Sequence, residues 1–346
     1  MPEVIRDVAV SFFFQKAFIL EHVIRVVNFA AHDVQSLTHL LKMIEEYKLF
    51  TVAVKEMLVP AYDNVKNPEF DIVVSANIFS GENLYIRADY TRAAEVLSNY
   101  LNEFSEGSFR LNAKFYLAES YVQLNKKEEA LRLFKDISAE PNNQFLEQAL
   151  MTTAGLFFEN EDFDEAIEYY KKLEAAATND VNRLNAFRGE LLSASFTGNA
   201  QSTINAANKI INFSHVPEEL LREAVFVRAK AYYSIDRLDE AIADFRRVAV
   251  EVISVEGAES KFRIAELLNR QNRADEAERT AHEFIDQKTP HQYWLARVFL
   301  LIAEISLKKG DVLQARATLQ SLNDYYGIDN DGILDEVKAK LSVLNE

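Results

Sequence analysis

Apolar positions recur at intervals of three and four residues over short stretches of this chain, and each stretch breaks at a turn before the next begins. In residues 108–135, Leu117, Ala118 and Tyr121 mark one face, residues 125–127 interrupt it, and Ala130, Leu133 and Phe134 mark the next. That spacing predicts two amphipathic helices, each turning one apolar stripe inward. The following stretch repeats it with Ala154, Phe157 and Phe158, a turn at Glu161 and Asp162, then Ala166, Tyr169 and Tyr170. Later stretches carry Ala229, Tyr232, Ala241 and Phe245, then Ala265, Leu268, Ala277 and Ala281, then Ala303, Ala315 and Leu319. The stretch around Leu191, Ala194, Thr203 and Ala207 keeps the pattern least well.

The helix pairs form a repeat. Ala93, Ala130, Ala166, Thr203, Ala241, Ala277 and Ala315 stand 37, 36, 37, 38, 36 and 38 residues apart. Twelve residues before each of the last six stands a second marker, Ala118, Ala154, Leu191, Ala229, Ala265 or Ala303. Small side chains at two fixed places let the helices of a pair cross closely, and a period of this length with this interior predicts a helical solenoid. The turns agree with the phasing. Seven residues past each first-helix marker stands Asn125, Glu161, Gly198, Asp236, Asn272 or Gly310. All but Glu161 are residues that tolerate the left-handed conformation that ends a helix.

Small residue, aromatic, turn, alanine, aromatic is the order of Ala118, Tyr121, Asn125, Ala130 and Phe134, and in this order the chain resembles the tetratricopeptide repeat family. Asp162-Phe163-Asp164-Glu165-Ala166-Ile167-Glu168-Tyr169-Tyr170 is close to the family's second helix. The resemblance covers residues 81–322, and the period exceeds the family's usual 34 residues by two to four, which implies slightly long connections. Tyr293-Trp294-Leu295-Ala296-Arg297, followed by Gly310-Asp311 and Gln314-Ala315, resembles the C-terminal part of large bacterial cell-envelope members. The fold this implies is all-α, one right-handed α-solenoid of about six or seven helix pairs.

Both ends depart from the repeat. Residues 1–80 read as an N-terminal helical segment: an apolar helix near residues 3–31, then Leu41, Ile44, Ala53 and Met57, which can be phased as one further unit. The segment is either a diverged cap or the inside of a longer protein, with Phe12, Phe13 and Phe14 meant to pack on something else. Residues 323–346 predict a capping helix that starts at Asp331 and lays Ile333, Val337, Leu341 and Leu344 along one apolar face.

Composition narrows the function. The chain of 346 residues has 49% hydrophobic positions but only 9 Gly and 6 Pro, which fits helices joined by short turns. A net charge of -16 repels nucleic acid and anionic lipid, and no basic face offsets it. Without cysteine there is no disulfide, zinc ribbon, iron–sulfur ligation or thiol nucleophile, while both the cytosol and an oxidising envelope remain open. The apolar run at residues 8–14 has no positive leader and is interrupted by Lys16 and Glu21. A signal peptide or membrane helix is therefore not expected.

Catalytic and ligand motifs read as ordinary structure. No Gly-x-Gly loop offers a phosphate cradle. His282-Glu283 starts like a zinc-protease helix, but Asp286 stands where the second histidine belongs. Asp329-Asn330-Asp331-Gly332 has the look of a calcium loop, yet its first and closing ligand positions would be Gly327 and Lys338, so a capping turn is expected. Acid pairs such as Glu128 with Glu129 and Asp164 with Glu165 open second helices, where the helix dipole favours them. The reading is non-enzymatic and without a cofactor or metal.

The resemblance implies a concave surface lined by first helices. Carried over position by position, it holds Phe115, Glu119, Met151, Glu159, Arg188, Phe226, Lys230, Tyr233, Phe262, Glu266, Arg270, Glu304 and Lys308. Some members clamp a terminal carboxylate with Lys, Asn and Arg there, whereas Phe115, Glu119, Met151 and Gly155 occupy those places here. The expected role is binding a protein or peptide, an amphipathic helix or an extended segment. A rival reading is a peptide-sensing regulator with residues 1–80 as effector module. Those residues hold 7 Lys and Arg against 10 Asp and Glu, which argues for a protein target over DNA.

Overall fold

A computed structural model describes residues 71–345, apart from Ser105 and Ser108. The expectations for residues 1–70, the long apolar helix, the earlier repeat and the effector module, lie outside the described residues. Within them there are fifteen helices and no strand: α1 (Asp71–Ile86), α2 (Tyr90–Glu103), α3 (Arg110–Gln123), α4 (Lys127–Ser138), α5 (Leu146–Glu159), α6 (Phe163–Ala176), α7 (Asp180–Phe196), α8 (Ala200–Ile211), α9 (Glu218–Ser234), α10 (Leu238–Val248), α11 (Val255–Arg270), α12 (Ala274–Asp286), α13 (Gln292–Lys308), α14 (Val312–Tyr325) and α15 (Ile333–Asn345). They run as seven pairs and a final single helix, an all-α solenoid of repeated helix hairpins. The chain divides into two compact units, Met1–Leu133 and Phe134–Glu346, with the division inside α4.

Every marker found in the sequence is buried. Ala93, Ala118, Ala130, Ala154, Ala166, Leu191, Ala229, Ala241, Ala265, Ala277, Ala303 and Ala315 have no exposed surface, and Thr203 keeps 4%. One marker belongs with these and is not an alanine: Gly81, buried on α1 twelve residues before Ala93, where an added Cβ would stand 2.5 Å from Leu97 Cδ2. A close crossing selects the smallest side chain available.

The turns repeat as faithfully. Asn125, Glu161, Gly198, Asp236, Asn272 and Gly310 all have φ between 56° and 80°, and Ala88, with φ 60°, does the same between α1 and α2. Glu161 and Ala88 take this backbone without the side chain that usually favours it, at a cost of roughly 1–2 kcal/mol. The following amide offsets that cost by closing the helix end: Asp162 N–H donates to Phe157 O at 2.9 Å and Asp89 N–H to Leu84 O at 2.9 Å. The same six-residue closure joins Lys126 to Tyr121, Arg237 to Tyr232, Arg273 to Leu268 and Asp311 to Ser306.

Second helices start on acid pairs, Glu128 and Glu129, Asp164 and Glu165, Asp239 and Glu240, Asp275 and Glu276, close to the positive helix end. In unit 2 the core is a continuous seam between neighbours. Phe245, Phe284, Leu267 and Leu268 fill one segment of it, and Ile333 and Val337 of α15 close another against Leu300, Ala303, Leu319 and Leu322. Asp331 caps α15 through Ile333 N–H at 3.1 Å and accepts the Tyr326 hydroxyl, so residues 329–332 form the capping turn.

Candidate functional site

Curvature places the candidate surface of unit 2. Four of the five steps between its successive first helices are closely packed, α5 with α7, α7 with α9, α11 with α13 and α13 with α15, the step from α9 to α11 being looser, while no second helix packs comparably on another second helix. A stack that is tight along one row and open along the other bends towards the tight row. We take the row of first helices as its inner wall. Met151 and Glu159 stand on α5, Arg188 on α7, Phe226, Lys230 and Tyr233 on α9, Phe262, Glu266 and Arg270 on α11, and Glu304 and Lys308 on α13. Phe115 and Glu119 belong to α3 of unit 1.

Phe262 corrects the expected set. It is only 2% exposed, its ring lies 5.6 Å from that of Trp294, and the Arg297 guanidinium covers it at 5.5 Å. It is a core side chain that offers a partner nothing. Phe226 is half in the core, edge-on to Phe245 at 6.2 Å, with Lys230 Nζ 5.4 Å above its ring. Lys230 itself is exposed and forms no ion pair among the described residues.

An arginine that sequence reasoning passed over organises this part of the wall. Arg263 stacks on Tyr233 at 5.1 Å and on Trp294 at 5.7 Å, and donates to Glu266 Oε2 at 2.9 Å and Glu259 Oε1 at 3.4 Å. Burial, the largest single influence, works against its charge, but the Glu266 hydrogen bond together with the charges of Glu266, Tyr233 and Glu259 raises its pKa above the ordinary arginine value. Arg270 approaches the same tyrosine ring at 5.4 Å while donating to Asp236 Oδ1 at 2.6 Å. The Tyr233 ring thus holds two guanidinium groups of the next first helix. Arg270 stands one period, 37 residues, after Tyr233, whereas Arg263 stands 30 after it, so the period does not point to Arg263.

Elsewhere the wall pairs its polar groups from one first helix to the next. Arg188 makes two hydrogen bonds to Glu223, at 2.8 and 3.2 Å. Lys308 Nζ donates to Asn269 Oδ1 at 3.0 Å, Lys340 Nζ to Glu304 Oε1 at 2.8 Å, and Arg297 to Glu336 Oε2 at 2.7 Å. Pairs this open to water contribute about 0–1 kcal/mol each. A partner that brings a matching charge can replace one at small cost.

Unit 1 has its own version. Tyr85 OH donates to Glu119 Oε2 and Asn112 Nδ2 to Glu82 Oε1, both at 3.3 Å, joining α1 to α3. Burial, with the Glu119 charge beside it, pushes the Tyr85 hydroxyl up to about 12. Its ring meets Tyr116 at 5.4 Å, and Phe115 meets Tyr116 edge-on at 5.4 Å.

Among the described residues no group of three or more His, Asp or Glu is placed to hold a metal ion, and no helix is long and apolar enough to cross a membrane. The family model for the tetratricopeptide repeat matches residues 117–181 and 226–292. The C-terminal part of a tetratricopeptide repeat-containing protein from Cytophaga hutchinsonii is 16% identical over 75% of this chain and 98% of its own, with a TM-score of 0.54. A structure of Naa15/Naa10 bound to HypK-THB is 14% identical over 79% of this chain and 39% of its own, with a TM-score of 0.51. No curated protein matches the sequence. Repeat period, buried small residues, left-handed turns and family model agree: residues 117–181 and 226–292 match the tetratricopeptide repeat, within an all-α solenoid of the same fold as other tetratricopeptide repeat proteins.

Proposed function

We propose that the chain is a non-enzymatic scaffold whose inner wall in unit 2 binds a protein or peptide segment. The observation that carries this reading is the surface formed by Phe226, Lys230, Tyr233 and Arg270: half-buried rings flanked by cations, beside pairs that exchange cheaply. Rings anchor an apolar side chain, and the surrounding charges set register. An amphipathic helix fits, with its apolar face on the rings and acidic groups towards Lys230. A place in a bacterial cell-envelope assembly is the narrower proposal, supported by the resemblance of residues 293–297 and 310–315 to envelope members of the family.

Arg228 is a shifted group that serves packing. The Asp244 hydrogen bond raises the pKa of Arg228 against the cost of burial, and in doing so joins α9 to α10. A photo-crosslinking residue in place of Lys230 should capture a partner from native extract, and the same residue in place of Val250 should not. Capture at both positions, or capture that survives Tyr233→Ser in the Lys230 probe, would remove the inner wall as the site.

A further inference from the structure

Three phenylalanines meet at the turn edge of unit 2. Phe163, at the start of α6, stacks on Phe196, at the end of α7, with 5.0 Å between centroids and 15° between planes. Phe158 meets both rings edge-on, at 5.5 and 5.7 Å. Phe196 remains 62% exposed. Core packing does not account for that exposure, because a ring placed for burial alone keeps little of itself in water. None of the three belongs to the inner-wall set, so a role for this patch goes beyond the proposed function and does not rest on it.

The surroundings are acidic. Residues 151–170 contain six Asp and Glu and no Lys or Arg, and Glu190 is the sole charged residue of residues 189–208. Glu161, Asp162, Asp164 and Glu165 are exposed, and none forms an ion pair among the described residues. The helix dipole accounts for acids in the first turn of α6. Asp162 is the N-cap of α6 but makes no side-chain capping hydrogen bond, and Glu161 in the preceding turn has no such role. Two exposed carboxylates elsewhere in unit 2 are matched across the repeat, Asp236 by Arg270 and Asp275 by Lys309.

An exposed ring face is electron-rich, and free carboxylates beside it ask for a flat cation that also donates in pairs. Guanidinium does both: it stacks on an aromatic face and makes two parallel hydrogen bonds to a carboxylate. We propose that the Phe158, Phe163 and Phe196 patch, with the carboxylates around the start of α6, docks an arginine-bearing segment of a partner protein, apolar residues beside the arginine resting on the ring edges. The ring stack supplies specificity for guanidinium over ammonium. The carboxylates supply attraction from a distance, which salt screens.

Three fluorescent peptides test this on the full chain by anisotropy: Leu-Arg-Arg-Leu-Arg, and its lysine and glutamate counterparts. The arginine peptide should bind tightest, the lysine peptide several-fold weaker, and the glutamate peptide not at all. Phe196→Ala should weaken the arginine peptide by about tenfold, a loss of about 1.4 kcal/mol. Asp164→Asn with Glu165→Gln should weaken it too and flatten its salt dependence, and because both side chains are exposed this variant keeps the test alive if Phe196→Ala fails to fold. Lys230→Ser, on the inner wall, should leave it unchanged. Equal affinity for arginine and lysine peptides, or full affinity in Phe196→Ala with native helicity, would overturn the proposal. An effect confined to Lys230→Ser would also overturn it while leaving the inner-wall reading intact.

Discussion

Thr153 and Ser260 each bury a side-chain hydroxyl that finds no hydrogen-bond partner among the described residues. A buried polar group left unmade costs about 1–3 kcal/mol. Replacing it by an apolar group of similar shape should therefore stabilise, and Thr153→Val and Ser260→Ala are expected to raise the melting temperature, each by up to about 1 kcal/mol of stability. A melt in which both variants fell would mean the hydroxyls are satisfied in solution. The opposite sign is expected where helices cross. Ala241 has no exposed surface, and Ala241→Leu should destabilise by about 1–3 kcal/mol in the same assay. These positions were legible in the sequence because closeness demands one property, small size, that any periodic scan detects. Gly81 was harder to read because its turn residue, Ala88, carries no turn signature. Phe262 was not legible at all. Whether that ring faces the wall or the core depends on Trp294 and Arg297, more than thirty residues on, and nothing in the local pattern of α11 states it.

At the scale of elements, what a periodic pattern leaves open is how one repeat is joined to the next. The connection from α10 to α11 lies against α11 itself: Ser254 Oγ donates to Glu251 O and accepts Gly257 N–H, both at 3.0 Å. A Cβ on Gly257 would overlap the Glu251 carbonyl. Gly257→Ala should therefore displace this backbone and cost more stability than the roughly 1 kcal/mol that alanine returns by helix propensity. Glu147 fixes another connection, accepting from Asn182 Nδ2 at 2.6 Å, from Thr178 Oγ1 at 2.7 Å and from Thr178 N–H at 3.1 Å. The Asn182 hydrogen bond, helped by those from Thr178, holds its carboxyl below the ordinary value of 4.5. A carboxylate depressed in the folded state stabilises above its unfolded value, and that contribution is lost as pH falls through the folded one. Urea melts should show wild type losing stability towards Glu147→Gln as the pH drops below 4.5, and keeping an advantage at neutral pH. An advantage that grew on acidification would contradict the assigned hydrogen bonds.

Over unit 2 as a whole, a linear stack has no central core, so damage at one end should stay there. Ile333 and Val337 of α15 are 1% and 0% exposed and close the seam over Ala303, Leu319 and Leu322, with Leu341 and Leu344 half-buried beside them. Lys340 and Glu336 add half-exposed pairs to Glu304 and Arg297 of α13, which contribute little beside the apolar cover. Stopping the chain at Leu322 removes the apolar cover, worth about 1.5–3 kcal/mol for each fully buried side chain before entropy is subtracted. Amides of α13 and α14 should then lose protection from hydrogen exchange first, α11 and α12 less, and α5 and α6 least. The bared strip of Leu300, Ala303 and Leu319 should also drive association, visible as a concentration-dependent mass by light scattering. Protection lost evenly from α5 to α14 would mean that the unit folds around one shared core, contrary to its neighbour-only packing, and protection unchanged throughout would mean that α15 contributes nothing to the seam it covers.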